Sequence, residues 1–190
     1  MTQQENNIKY EPIIEVGFHL LKAKDLDLNY WTDVCYNTKR NEPNSKNISN
    51  IGGWQSNSNL CNVDKFKPLI KLIQNLCYPI FNTPQLAIVG LWANISSFTN
   101  YNIPHTHLDF IDLYPYKSYS GVIYLKTPLN SGRICFKSPI ATDGWIEIPP
   151  EETGIIIFPS TLEHYVQPNL SKEDRISLAF NFNRFDSIKT

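Results

Sequence analysis

Three of the four histidines in this chain, His105, His107 and His164, fall in a region of short β-type segments. His105 and His107 stand two apart in "IPHTHLDF". Residues i and i+2 of an extended segment project to the same face, so the two imidazoles can meet one metal ion without a special turn. His164, in "FPSTLEHYVQP", follows the apolar run "GIIIF" and offers a third ligand from a distant strand. Three ligands on one face form a set that suits iron(II) and leaves positions open for other groups. H-x-H alone is a short pattern, and any one histidine in a β-rich domain can equally be a hydrogen-bonded structural residue.

A second group lies downstream. The alternation in "RISLAFNFN" places Arg175, Ser177, Ala179 and Asn181 on one face. An inward Arg175 would point into an otherwise apolar interior, where a guanidinium without a counter-charge is expensive. Its planar fork suits a carboxylate, and Ser177 adds a hydroxyl to the same oxygens. A dicarboxylic co-substrate is the economical partner. The competing reading turns Arg175 outward, paired with Glu173 or Asp174.

The elements that must hold these residues can be read from hydrophobic periodicity. "EPIIEVGFH" suggests an edge strand, and Leu28, Trp31, Val34 and Cys35 recur at helical spacing just after it. Residues 40–62 are Asn- and Ser-rich with few aliphatics, which reads as a loop or cover. Phe66, Leu69, Ile70, Ile73, Leu76 and Cys77 define one face of a second helix, with Asp64 as N-cap and Pro68 in its first turn. Beyond Pro84, seven short segments rich in β-branched and aromatic residues alternate with turn residues. The expectation is an antiparallel sandwich or jelly roll whose outer face is covered by the two helices.

The 190 residues are 42% hydrophobic, enough for one domain with one core. Residues 1–83 would form the N-terminal strand, helices and cover loop, and 84–190 the jelly-roll core. With 17 basic and 18 acidic residues the net charge is -1, which disfavours nucleic acid as a partner. Four irregularly spaced cysteines form no CxxC and suit a reducing compartment. No apolar stretch approaches a membrane span, so the chain reads as soluble and cytoplasmic, acting on a small molecule or peptide.

Read together, the motifs "GGWQS" (52–56), "WAN" (92–94), "HTH" (105–107), "SGVIYL" (120–125), "GRICF" (132–136), "GIIIFPSTLEHYVQPN" (154–169) and "RISLAFN" (175–181) are similar, in this order, to those of the iron(II)- and 2-oxoglutarate-dependent oxygenases. The chain most resembles a family of such oxygenases found in marine bacteria and their phages. The resemblance implies a double-stranded β-helix, a cupin-like jelly roll. It implies iron(II), 2-oxoglutarate and O2 as the reaction's requirements, with hydroxylation of an unidentified substrate in a bacterial or phage-infected cell. His105, His107 and His164 match the metal positions, and Arg175 with Ser177 matches the clamp on the distal carboxylate of 2-oxoglutarate. Tyr124 and Asn94 are expected to line the same pocket.

Many relatives carry H-x-D where this chain has H-x-H, so Asp109 or Asp112 is the alternative to His107 as second ligand. If none of these coordinates, a two-histidine site with room for a halide would remain. Phe110, Tyr114, Tyr116 and Tyr119 form either a substrate-selecting lid or an ordinary loop. Two other functions compete: a non-catalytic β-sandwich binding module with a structural metal, and a cupin-like metalloenzyme that needs no 2-oxoglutarate.

Overall fold

Asp27 begins the first helix, its carboxylate accepting the Tyr30 N–H at 3.0 Å. Helix α1 (Leu28–Asn41) then buries Trp31, Val34 and Cys35, the stripe expected from their spacing. Helix α2 (Lys67–Phe81) buries Leu69, Ile73, Cys77 and Phe81, with Ile70 and Leu76 half-buried beside them. Asp64 is not its N-cap: it opens a short 3-10 turn (Asp64–Phe66) and pairs with Lys67 at 2.6 Å. Pro68 does fall in the first turn, where its missing N–H removes no helical bond. These elements belong to a computed structural model that describes residues 18–81, 86–107, 116–138 and 144–185.

Eleven strands are present among the described residues. They are β1 (His19–Lys22), β2 (Asn50–Ile51), β3 (Trp54–Gln55), β4 (Leu86–Ser96), β5 (Tyr101–His105), β6 (Tyr116–Lys126), β7 (Ile134–Lys137), β8 (Trp145–Ile148), β9 (Gly154–Pro159), β10 (His164–Val166) and β11 (Arg175–Phe185). They form a six-stranded sheet in the order β1-β9-β6-β11-β4-β3 and a five-stranded sheet in the order β2-β5-β10-β7-β8. Paired strands in both sheets run antiparallel. This is the expected jelly roll with flanking helices, and all seven β segments read from the sequence beyond Pro84 are strands. The cover is more ordered than its composition suggested. It sends β2 to the edge of one sheet and β3 to the edge of the other, pairings that leave no hydrophobic pattern because each strand is two residues long.

Strand β11 shows how the fold divides its two jobs. Ile176, Leu178, Phe180 and Phe182 are fully buried on the face covered by the helices, in one cluster with Trp31, Leu69, Ile73 and Phe81. Truncating any one of them to Ala costs about 2–5 kcal/mol. The larger core therefore lies outside the sandwich. Between the sheets, a smaller apolar cluster of Val122, Tyr124, Ile134, Phe136, Ile156 and Phe158 backs a cavity, and the other face of β11 turns toward it. Tyr119 belongs to the helix-side core, stacked on Phe182 with ring centroids 5.3 Å apart and only 2% exposed, so it is not a lid residue. Phe110 and Tyr114 lie outside the described residues, as does the Tyr116 side chain.

Candidate metal centre and carboxylate cradle

The cavity between the sheets has a volume of about 430 Å³. His105 is the last residue of β5 and His164 the first of β10, and the two stand opposite each other in the ladder. His107 follows two residues after His105, its N–H donating to the Ser160 carbonyl at 2.9 Å. One ligating atom from each of the three imidazoles lies within 4.8 Å of the others. Ring centroids are 4.3 Å apart for His105 and His164, 5.0 Å for His107 and His164, and 5.1 Å for His105 and His107.

The second nitrogen of each ring fixes which atom points inward. Nδ1 of His105 lies 2.8 Å from the Ile103 carbonyl, and Nδ1 of His164 lies 3.0 Å from the Leu162 carbonyl. Nδ1 of His107 lies 2.9 Å from Asn181 Oδ1, which also accepts the Ser120 hydroxyl at 2.9 Å. Carbonyl oxygens only accept, so each Nδ1 carries a proton, and in the neutral ring Nε2 then keeps a lone pair. With the rings neutral, Nε2 of His105 and Nε2 of His107 present lone pairs to each other at 3.2 Å. A cation between them resolves this opposition, and the donor set of three neutral imidazoles fits iron(II).

Burial reinforces neutrality. His164 is 4% exposed against Phe136 and Phe158, and burial, with His105 and His107 adding to it, pushes its pKa down to about 3. Burial also lowers that of His105. A contact invisible in the sequence comes from the cover: Ser49 Oγ lies 3.2 Å from His105 Nε2 and accepts from Asn102 Nδ2 at 3.0 Å.

Arg175 opens β11, 4% exposed and facing the same cavity. Its guanidinium donates to the Ser131 carbonyl, more weakly to those of Gly132 (3.4 Å) and Gln167 (3.5 Å), and to Ser96 Oγ at 3.3 Å. The acidic neighbours are engaged elsewhere. Asp174 accepts from Tyr36 (2.9 Å) and Ser97 (2.7 Å), and Glu173 pairs with Lys126 at 2.8 Å. No described carboxylate forms an ion pair with Arg175, and burial lowers its pKa. The turn that delivers it is anchored by Asn169, whose amide donates to the carbonyls of Ser96 (2.7 Å) and Glu173 (2.9 Å).

Ser177 stands opposite Asn94 on one side and Tyr124 on the other, and all three line the cavity. Burial pushes the Tyr124 hydroxyl up to about 12, so it remains a donor despite the opposing influence of Arg175. The cavity is more polar than expected around Arg175, because Ser49 just before β2, Gln55 of β3 and Asn102 of β5 line it. Asp109 and Asp112 lie outside the described residues. Ser49 and the bond from Asn181 to His107 are not anticipated by the sequence, and Gln55 and Ser120 lie in the motifs "GGWQS" and "SGVIYL" without a role expected for either side chain. For Asn181 a signal existed, its place on the Arg175 face.

Residues 90–181 match the sequence model of a family described as "Putative 2OG-Fe(II) oxygenase". No curated protein matches the sequence. Among solved structures, the fold is similar to the α-ketoglutarate-dependent carbocyclase SnoK of nogalamycin biosynthesis, with TM-score 0.69, 9% identity, and coverage of 88% of this chain and 79% of that one. A prolyl-4-hydroxylase from Pseudomonas putida gives TM-score 0.65 at 15% identity, covering 90% and 94%. HygX from Streptomyces hygroscopicus, solved with nickel and 2-oxoglutarate, gives TM-score 0.66 at 11% identity, covering 92% and 84%. Residues 90–181 are thus similar to 2OG-Fe(II) oxygenases, and the fold as a whole is similar to that of the solved structures above.

Proposed function

We propose that this protein is an iron(II)- and 2-oxoglutarate-dependent dioxygenase that hydroxylates a small molecule or peptide, with His105, His107 and His164 as the iron ligands. The observation that carries this reading is the buried Arg175, without a described carboxylate partner, in the same cavity as three converging imidazoles. A buried guanidinium calls for an anion, and a structural metal site would not need one. A 2-oxo diacid meets both demands at once.

Each residue then has a definable task. Arg175 binds the distal carboxylate, with the hydroxyls of Ser177 and Tyr124 as further donors and Asn94 beside them. Asn181 holds the Nδ1 proton of His107 and so presents Nε2 to the metal. Phe136 and Phe158 exclude water behind His164. Three neutral imidazoles leave both charges of iron(II) to be balanced by the bound diacid. Iron with 2-oxoglutarate supplies the oxidising power for C–H oxidation, and the protein supplies orientation and exclusion.

Four free cysteines, three of them buried, support placement in a reducing bacterial or infected-cell cytoplasm. Among the described residues no helix is long and apolar enough to cross a membrane. Anaerobic titration with iron(II) and then 2-oxoglutarate tests the function. The expected result is a visible charge-transfer band that appears only with both, followed by succinate release on exposure to air. A metal that binds without any response to 2-oxoglutarate would favour the structural-metal or cupin-like alternatives.

A further inference from the structure

Gln55, in β3, stands opposite Asn94 of β4, and the row continues through Ser177 of β11 to Tyr124 of β6. This line of polar side chains across four strands thus ends, at the cover, on a carboxamide. Gln55 is 5% exposed and lines the cavity. Its backbone is engaged, the N–H by Ser45 Oγ at 3.0 Å and the carbonyl by the Lys46 N–H at 2.9 Å. Its carboxamide makes no hydrogen bond to any described residue. Ser131 Oγ is the sole fully enclosed side-chain nitrogen or oxygen without a hydrogen-bond partner among the described residues, so the unbonded Gln55 amide is not fully enclosed and meets the cavity space. Buried amides are rarely left unpartnered, and a group that restores the pairing gains what its loss would cost.

The chemistry of the wall says what that group is. Arg175, Ser177 and Tyr124 offer donors, as a carboxylate requires, at the other end of the row. A carboxamide presents an acceptor oxygen as well as a donor, so a carboxylate satisfies half of it and repels the rest. The neighbouring lining residues Ile48, Ser49, Ser58, Trp92 and Asn102 carry no formal charge, and Arg175 is the sole Lys, Arg, Asp or Glu among the described lining residues. A charged substrate group brought against this wall would be buried without a counter-ion.

We propose that Gln55 is a specificity-determining residue that selects the prime substrate by pairing with a neutral amide, from a carboxamide side chain or a peptide bond. The proposal rests on the oxygenase reading above. Its test uses the protein loaded anaerobically with iron(II) and 2-oxoglutarate, with binding read from perturbation of the charge-transfer band. The probes are L-asparagine and L-glutamine, N-acetylglycine N-methylamide as a peptide mimic, and L-aspartate and L-glutamate as the isosteric acids. At least one amide probe should bind about tenfold or more tightly than the acids, and which one separates side-chain from backbone recognition. Gln55→Leu and the isosteric Gln55→Glu should each weaken that probe about tenfold or more, while 2-oxoglutarate affinity changes by less than about threefold. Acids that bind as well as amides overturn the proposal, as do variants that leave amide affinity unchanged. Equal losses of amide and 2-oxoglutarate affinity overturn it too, by assigning Gln55 to the co-substrate. Absence of the band in the wild type refutes the oxygenase reading itself, and the proposal with it.

Discussion

Replacing Arg175 with Met removes a charge while roughly keeping the volume, and the structure gives opposite expectations for stability and for ligand binding. In the unliganded fold the guanidinium is 4% exposed, and two of its four hydrogen bonds, to Gly132 at 3.4 Å and Gln167 at 3.5 Å, are at the limit of useful length. Well-made hydrogen bonds to a charged group contribute about 1.5–3 kcal/mol. Desolvating a charge costs several kcal/mol, so the two nearly cancel here and the variant should be within about 1 kcal/mol of wild type. Binding is different, because truncating one partner of a buried charge pair costs about 2–5 kcal/mol. That is a loss of about 30-fold to several thousand-fold in 2-oxoglutarate affinity. None of the four bonds reaches a histidine, so metal affinity should hold. Urea midpoints of the metal-free protein, with separate anaerobic titrations of metal and 2-oxoglutarate, measure the three quantities. A 2-oxoglutarate affinity within threefold of wild type, or metal and 2-oxoglutarate binding lost together, would refute the reasoning.

Three further outcomes are expected. The pKa of His164 is lowered to about 3 and that of His105 is lowered too, so the unfolded chain takes up these protons below about 6.5 while the folded chain does not. The metal-free protein should therefore lose stability as pH falls below about 6.5, by up to about 1.4 kcal/mol per pH unit for each group while it is protonated only in the unfolded chain, a window that for His164 reaches down to about 3; urea midpoints at successive pH values check this, and a flat profile contradicts it. Asn181→Leu should weaken metal binding about 10- to 100-fold by releasing the His107 ring, and competition with a metal indicator measures it. Gly132→Ala places a Cβ 2.3 Å from the Gln167 carbonyl oxygen at a φ of +85°, and should lower the urea midpoint by the equivalent of about 1–3 kcal/mol.

The sequence disclosed most where a side chain's face follows from simple alternation. The inward set of β11 was legible because Ile176, Leu178, Phe180 and Phe182 are apolar at every second position, leaving Arg175, Ser177, Ala179 and Asn181 for the other side. The two helices were legible for the same reason at a different period. What escaped was built from polar residues at strand edges. Strand β5, "YNIPH", is mostly exposed and contains a proline, so nothing in its pattern announces a strand. Ser49 reaches the cavity through a cover contact without a local signature, and Gln55, although part of "GGWQS", through a two-residue strand pairing that alternation does not reveal. The role expected of Tyr119 failed because its position in the ladder, opposite Phe182, sends it to the helix-side core.

A structure determined after anaerobic loading with iron(II) and 2-oxoglutarate tests the central claim most directly. The account predicts a metal bonded to Nε2 of His105, His107 and His164, and a diacid whose distal carboxylate is held by Arg175. A metal held by Asp109 or Asp112 in place of His107, or a diacid whose carboxylate lies away from Arg175, would contradict it.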